Sequence, residues 1–394
     1  MFLMGGMALI VTRPDGVLRV ARREWLLFAM TIWCLVSFTW SDYSGASLRF
    51  GIQLLLTVTI AVVICQRITP QALIKILLLS FFIAGFISLA SGRTRADGMG
   101  FLGIYGSKNA LASSMGVLLL IGLAVLLDRR MPRLWRWLAL VGSGLGALLL
   151  VLGQSTGALV AVAASVAAVG PIMLLQRMKA PVRVVAIVLT LVLTASATVM
   201  LSTMADEFAA AFLNTTGKDV TLTGRTDLWN VAFREIMARP LGGVGYQAFW
   251  VQGNPAAEEL WAQFGIATRS GFHFHNTLIS NAVEIGLIGV IMQAVLFFSA
   301  VYFCLTWAVR SPSAASLFMA MFTVRQLMSM GVEAVFFFQF DIITVVTIAA
   351  LYYGRGYQLM TMAARTSGQP APFFGMRSGY RNGRLRHGQG GGGQ

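Results

Sequence analysis

Apolar residues run through this chain in long blocks, separated by short stretches where arginine, glycine and proline concentrate. Blocks on the order of the 17 to 22 residues that a helix needs to cross a ~30 Å hydrocarbon layer fall near 25–41, 50–65, 71–90, 109–127, 137–153, 157–175, 184–202, 277–307, 314–334 and 340–353. The pattern predicts an all-α polytopic membrane protein of about ten transmembrane helices, eleven if the apolar stretch 1–11 adds one. That stretch is too short to cross alone. Its basic residues Arg13, Arg19, Arg22 and Arg23 follow the apolar run, the reverse of a signal peptide, so it reads as cytosolic or interfacial.

Composition closes off other classes. Of 394 residues, 57% are hydrophobic and 11% charged, which excludes a soluble enzyme, a disordered chain and a secreted disulfide scaffold. Lys and Arg number 30 against 15 acidic residues, but they cluster between the apolar blocks, so the excess speaks of topology and not of nucleic acid. Alternate loops hold Arg67/Lys75, Arg129/Arg130/Arg133/Arg136, Arg177/Lys179/Arg183 and Arg310, and the tail adds Arg355, Arg365, Arg377, Arg381, Arg384 and Arg386. The positive-inside rule puts these loops and both termini in the cytoplasm and the longest loop outside. The chain then divides into an N-terminal segment (1–24), helices one to seven (25–202), the outer loop (203–276), helices eight to ten (277–354) and a basic, Gly-rich tail (355–394), whose composition predicts disorder. Cys34, Cys65 and Cys304 lie in or beside apolar blocks with no metal spacing, and read as small hydrophobes.

The outer loop has the most room for chemistry. Residues 226–238 predict a helix, with Thr226 as N-cap, Asp227 in the first turn and Pro240 beyond the end. Gly224-Arg225 sets a guanidinium beside that helix start, suited to phosphate, with a surface ion pair to Asp227 as the plainer alternative. Phe272-His273-Phe274-His275-Asn276 brings two of the three histidines to the outer mouth of the eighth span. Histidines two apart, without a carboxylate or cysteine at ligand spacing, favour a general base over a metal ligand, with a hydrogen-bonded anchor as the plainer alternative. Asn276, Ser280 and Glu284 then recur every four residues as a polar seam.

Several separated motifs together resemble the O-antigen ligase and Wzy-type polymerase superfamily, specifically its ExoQ-like exopolysaccharide branch. They are Trp40-Ser41-Asp42-Tyr43-Ser44 with Ser47-Leu48-Arg49, Gly103-Ile104-Tyr105-Gly106-Ser107-Lys108-Asn109, Thr223-Gly224-Arg225-Thr226-Asp227-Leu228-Trp229, Arg239-Pro240-Leu241-Gly242-Gly243-Val244-Gly245-Tyr246, and His275-Asn276 with Glu284-Ile285-Gly286-Leu287-Ile288-Gly289. The resemblance implies a glycosyltransferase that moves an undecaprenyl-pyrophosphate-linked oligosaccharide at the outer face, without metal or other cofactor. His275, with His273 second, is the implied base, and Arg225 and Arg269 the implied cations for pyrophosphate. Arg49, Lys108, Asp227, Glu284 and Arg325 are further candidates for binding substrate. Polymerisation is favoured over ligase-type transfer to another acceptor, and a chain-length regulator and a flippase are the partners such a reading allows. Related sequences carry a basic residue where this chain reads Gln154-Ser155-Thr156-Gly157; Arg49, Arg93, Arg95 or Lys108 would have to replace it.

A transporter of lipid-linked sugar is the rival class, for which buried Glu284, Arg325 and Glu333 would serve, although no internal repeat is visible. Glu284 and Arg325 each fall roughly 12 to 14 Å below an outer helix end at ~1.5 Å per residue. Isolated charges there are costly, so the two are expected to pair, with Arg325 facing a cavity or meeting Glu333 as alternatives.

Overall fold

A computed structural model describes residues 22–95, 100–175, 182, 225–335 and 337–367. The expected span 184–202, the first part of the outer loop, the apolar stretch 1–11 and most of the basic tail lie outside the described residues. Among the described residues the regular structure is helical, with one isolated antiparallel bridge between Thr94 and Phe101. The helices are α1 Trp25–Val36, α2 Ser44–Arg67, α3 Pro70–Ser91, α4 Lys108–Leu127, α5 Arg133–Leu152, α6 Thr156–Leu175, α7 Arg225–Ala238, α8 Pro255–Gln263, α9 Thr277–Arg310, α10 Ala314–Ser329 and α11 Ile342–Thr366. α2, α3, α4, α5 and α9 are long and apolar enough to cross a membrane; α1 with its following turn and α6 are shorter apolar helices. The eighth, ninth and tenth expected spans correspond to α9, α10 and α11.

This is a polytopic membrane protein. Its exterior carries large apolar side chains that water would penalise but lipid accepts, among them Leu134, Trp137, Phe86 and Ile291. Polar groups within the spans are satisfied at short range: Thr31 Oγ1 donates to the Leu27 carbonyl at 2.8 Å and Thr57 Oγ1 to the Gln53 carbonyl at 2.7 Å. α4 lies along α5, where a Cβ on Gly146 would stand 2.9 Å from the Met115 carbonyl oxygen. Only glycine permits that approach.

Three clusters of buried side chains organise the molecule. One joins α3, α4, α5, α6, α10 and parts of α9 and α11. A second joins α1, α2, α9 and α11 around Tyr246. The third belongs to the outer loop, where Leu228, Phe249, Leu260, Trp261 and Phe274 form a small core of their own.

The loop core is fastened to the spans by a break in α9. Gly286, at φ 64° and ψ −177°, interrupts the helix in a conformation only glycine adopts readily. The carbonyls freed by the break are taken up from outside: Val283 and Glu284 accept from the backbone N–H groups of Val244 and Gly245 at 2.8 and 2.9 Å, and Ile285 accepts from the Trp33 indole at 2.9 Å. Conversely, Leu287 N–H donates to the Pro240 carbonyl at 2.9 Å. The Pro240–Tyr246 turn therefore acts as a plug that replaces the helix's missing hydrogen bonds. Asn281 Nδ2 reaches Gln293 Oε1 across the break, a span that twelve residues of straight helix would stretch to ~18 Å.

Candidate active site

The site forms where the end of the outer loop enters α9. Asn276 caps that helix, its Oδ1 accepting from Ile279 N–H at 3.1 Å. Thr277 then stitches α9 to the segment after α10: its N–H donates to the Met330 carbonyl at 2.8 Å, its hydroxyl to the Glu333 carbonyl at 2.6 Å, and Val335 N–H returns to that hydroxyl at 3.2 Å. These bonds hold Glu333 beneath the histidine pair.

Glu333 is the hub. Its Oε1 accepts from Asn109 Nδ2 at 3.0 Å, while Oε2 lies 3.1 Å from His273 Nε2 and 3.9 Å from His275 Nδ1. His273 Nδ1 accepts the backbone N–H of His275 at 3.1 Å, so the His273 proton sits on Nε2 and points at the carboxylate. His275 itself stands at φ 52°, and among the described residues its ring makes no hydrogen bond within normal reach. With Nδ1 turned toward Glu333, Nε2 is the nitrogen on the other side of the ring.

α7 supplies the third side. Trp229 donates its indole N–H to the Phe274 carbonyl at 2.8 Å, pinning the peptide between the two histidines. Arg225 lies four residues earlier on the same helix face, and its charge acts on both His275 and Glu333. Burial lowers the His275 pKa most, repulsion from His273 and Arg225 adds to it, and Glu333 opposes it, leaving the imidazole at about 4. Burial alone would raise the Glu333 carboxyl, but the His273 hydrogen bond and the positive charges around it outweigh burial and lower it. The site thus holds a neutral imidazole beside an ionised carboxylate.

Two expectations are corrected. Sequence spacing offered the histidines no third ligand, yet the fold brings Glu333 to them, and the donor atoms of His273, His275 and Glu333 lie within 4.8 Å of one another. Glu284 and Arg325 do not pair. Glu284 Oε2 accepts the backbone N–H and side-chain amide of Gln247 at 3.1 and 3.2 Å, because the plug in α9 brings Gln247 to it. Arg325 faces α4 instead, donating to the Ser113 carbonyl at 3.2 Å, to the Ser113 hydroxyl and to Gln326 Oε1 at 2.6 Å. Nor does Arg325 meet Glu333, whose oxygens serve Asn109 and the histidines.

The remaining candidates are scattered. Arg269 pairs with Glu258 at 3.1 Å, and Asp227 accepts from Gln263 at 3.4 Å instead of pairing with Arg225. The predicted cap Thr226 falls inside the first turn, since α7 begins at Arg225. Arg49 lies over the Phe50 ring, 4.4 Å from its centroid, and the Lys108 side chain runs along Gly100. Among the cations proposed to replace the missing one, Arg93 donates to the Tyr105 carbonyl within its own loop. Sequence reasoning missed Asn109 and Glu333 as site residues. The Lys108-Asn109 motif carried the first signal, and an acidic residue at the outer end of the ninth span the second.

Residues 141–294 match the family described as O-antigen ligase, a segment that contains both histidines, Arg225 and the α9 plug. Over 284 residues the chain is also 33% identical to the "Exopolysaccharide production protein ExoQ" of Rhizobium meliloti (strain 1021), covering 70% of this chain. The chain is similar to both. It spans 64% of the length of that relative. The motifs that carry the resemblance in the sequence each send a residue to the α9 mouth: Asn109 from one, Arg225 and Trp229 from another, His275 and Asn276 from a third.

Proposed function

We propose that this protein is a polysaccharide polymerase: a glycosyltransferase that joins undecaprenyl-pyrophosphate-linked oligosaccharide repeat units into exopolysaccharide. It works in the bacterial inner membrane with ten spans, both termini in the cytoplasm and the loop 203–276 in the periplasm. The observation that carries the reading is the neutral His275 ring, its Nδ1 toward Glu333 and its Nε2 unengaged, beside the Arg225 cation. An acceptor sugar hydroxyl attacks the anomeric carbon of the donor. Its proton passes to His275 Nε2, the bond from that carbon to the pyrophosphate oxygen breaks, and the lipid pyrophosphate leaves with the electron pair. Glu333 stabilises the imidazolium that forms, as a carboxylate does for a catalytic histidine elsewhere. Arg225 meets the negative charge that grows on the leaving group. The negative charge of a bound pyrophosphate also offsets the small repulsion that Arg225 exerts on His275. No step calls for a metal.

Repeated extension is favoured by the name of the exopolysaccharide relative. The O-antigen ligase description favours a second reading, transfer of a finished glycan to a different acceptor. Cells lacking the protein separate the two: loss of long polymer with accumulation of single lipid-linked repeats supports polymerisation, whereas intact polymer that stays on lipid supports ligation. His275→Ala and Arg225→Ala are each expected to lower polymer by about 10²-fold or more at unchanged protein level. Near-normal polymer from His275→Ala would refute its role as the base.

A further inference from the structure

The donor atoms of His273, His275 and Glu333 form an open triangle at the α9 mouth. Their separations, 3.1 Å from His273 Nε2 and 3.9 Å from His275 Nδ1 to the same carboxylate oxygen, bracket what a tetrahedral ion requires. Zinc bonds of ~2.0–2.2 Å set neighbouring ligands roughly 3.3 to 3.6 Å apart. An ion would therefore need only small side-chain movements. The three side chains are 28%, 27% and 30% exposed, so an ion can reach them from outside and keep a water as its fourth ligand.

We infer that this triangle binds a divalent transition-metal ion, Zn²⁺ foremost, and that the bound ion switches the transferase off. The inhibition rests on the reading of His275 as the base; the binding does not. Two imidazoles and one carboxylate with an open position are a zinc donor set, and they suit Mg²⁺ or Ca²⁺ poorly because those ions prefer oxygen. Arg225 repels any cation here, which leaves only ions that bind imidazole strongly. The outer supports already exist: Asn109 holds Glu333 Oε1 and leaves Oε2 facing the histidines. Binding costs a proton shift at each imidazole: on His275 the proton on Nδ1 must move to Nε2 before Nδ1 can ligate. His273 Nε2 must give up its proton, which moves to Nδ1, and the hydrogen bond from the His275 N–H is lost. Once His275 ligates the ion, Glu333 and the imidazole are tied to metal. The base can then no longer accept the acceptor's proton while paired with its carboxylate.

The test uses the full chain in detergent, purified through an affinity tag without histidines, stripped with EDTA and dialysed against low-micromolar Zn²⁺. We expect one Zn²⁺ per chain, undisplaced by millimolar Mg²⁺ or Ca²⁺, and Co²⁺ in its place with the intense visible absorption of a four-coordinate ion. His273→Ala and Glu333→Gln are each expected to weaken uptake tenfold or more with unchanged elution on gel filtration; His387→Ala, in the tail, is expected to leave it intact. No uptake by the native chain, equal uptake by both site variants, or a weak six-coordinate Co²⁺ spectrum overturns the site. If a variant aggregates, the Co²⁺ spectrum of the native chain decides. In the same preparation the stripped enzyme is expected to polymerise lipid-linked repeats, Zn²⁺ to stop it over the binding range, and EDTA to restore it. Stripped enzyme that works only after Zn²⁺ is restored overturns the switch. Full activity with the site filled would remove His275 as the base and leave the metal site standing.

Discussion

Gly286→Ala is the sharpest probe of how the outer loop is held. A Cβ at this position would stand 2.2 Å from the Leu241 carbonyl oxygen and 2.6 Å from the Gly242 nitrogen. Both are backbone atoms, so no rotamer change relieves the overlap. The backbone itself, at φ 64° and ψ −177°, costs a non-glycine residue about 1–3 kcal/mol. Backing the plug away by the ångström needed endangers the bonds from Val244, Gly245 and Leu287, at roughly 1 kcal/mol net for each one lost. With all three bonds lost the total is about 4–6 kcal/mol. Gly265→Ala is the matched control: its φ is 65°, yet nothing lies within 4 Å of the added methyl, so only the left-handed penalty of roughly 1–2 kcal/mol applies. The assay is gel filtration after stepwise heating in detergent, with protease added to report release of the outer loop. Gly286→Ala is expected to lose its monodisperse peak at much lower temperature than Gly265→Ala and to expose the loop. Equal behaviour of the two variants would refute the plug as the fastening.

The free enzyme should keep its kcat/KM as pH falls through 6.5 and lose it only toward about 4, because burial and the neighbouring positive charges hold His275 neutral over that interval. An acid limb at 6.5, measured with lipid-linked substrate, would mean that another group is the base. The reciprocal swap of Glu284→Arg with Arg325→Glu should not restore protein level, since the two residues serve different partners; recovery in the double variant, seen by immunoblot, would show an interaction that the fold does not contain.

Much of the fold was legible because lipid imposes length and apolarity on the chain itself. Apolar blocks near 71–90 and 109–127 became α3 and α4 almost residue for residue. α7 was nearly as readable, since Pro240 marks its end locally, although the predicted cap Thr226 lies inside its first turn. Gly286 was not. It sits among Ile285, Leu287 and Ile288, so apolar periodicity runs straight through the break, and only the plug from 240–246 reveals it. The same applies to Glu333, which joins the histidines through Thr277 bonds that no local pattern announces.

The failed pairing of Glu284 and Arg325 shows why depth alone misled. A charge below the membrane surface must find partners, but the partners need not be charged. Glu284 lies beside a helix break, where backbone N–H groups and an amide enter from the loop and satisfy its carboxylate. Arg325 lies on α10 facing α4, which offers a carbonyl and a hydroxyl. Each charge was met within its own surroundings, so their similar depths created no attraction strong enough to bring the helices together. The outer-loop site follows the opposite rule. Glu333, His273 and Arg225 come from three separate elements, and their charges act on one another because the α9 mouth is partly buried. Sequence separation hid the arrangement, and the fold needed all three anchors, the Asn276 cap, the Thr277 stitch and the Trp229 indole, to set a neutral imidazole beside a carboxylate at the membrane face.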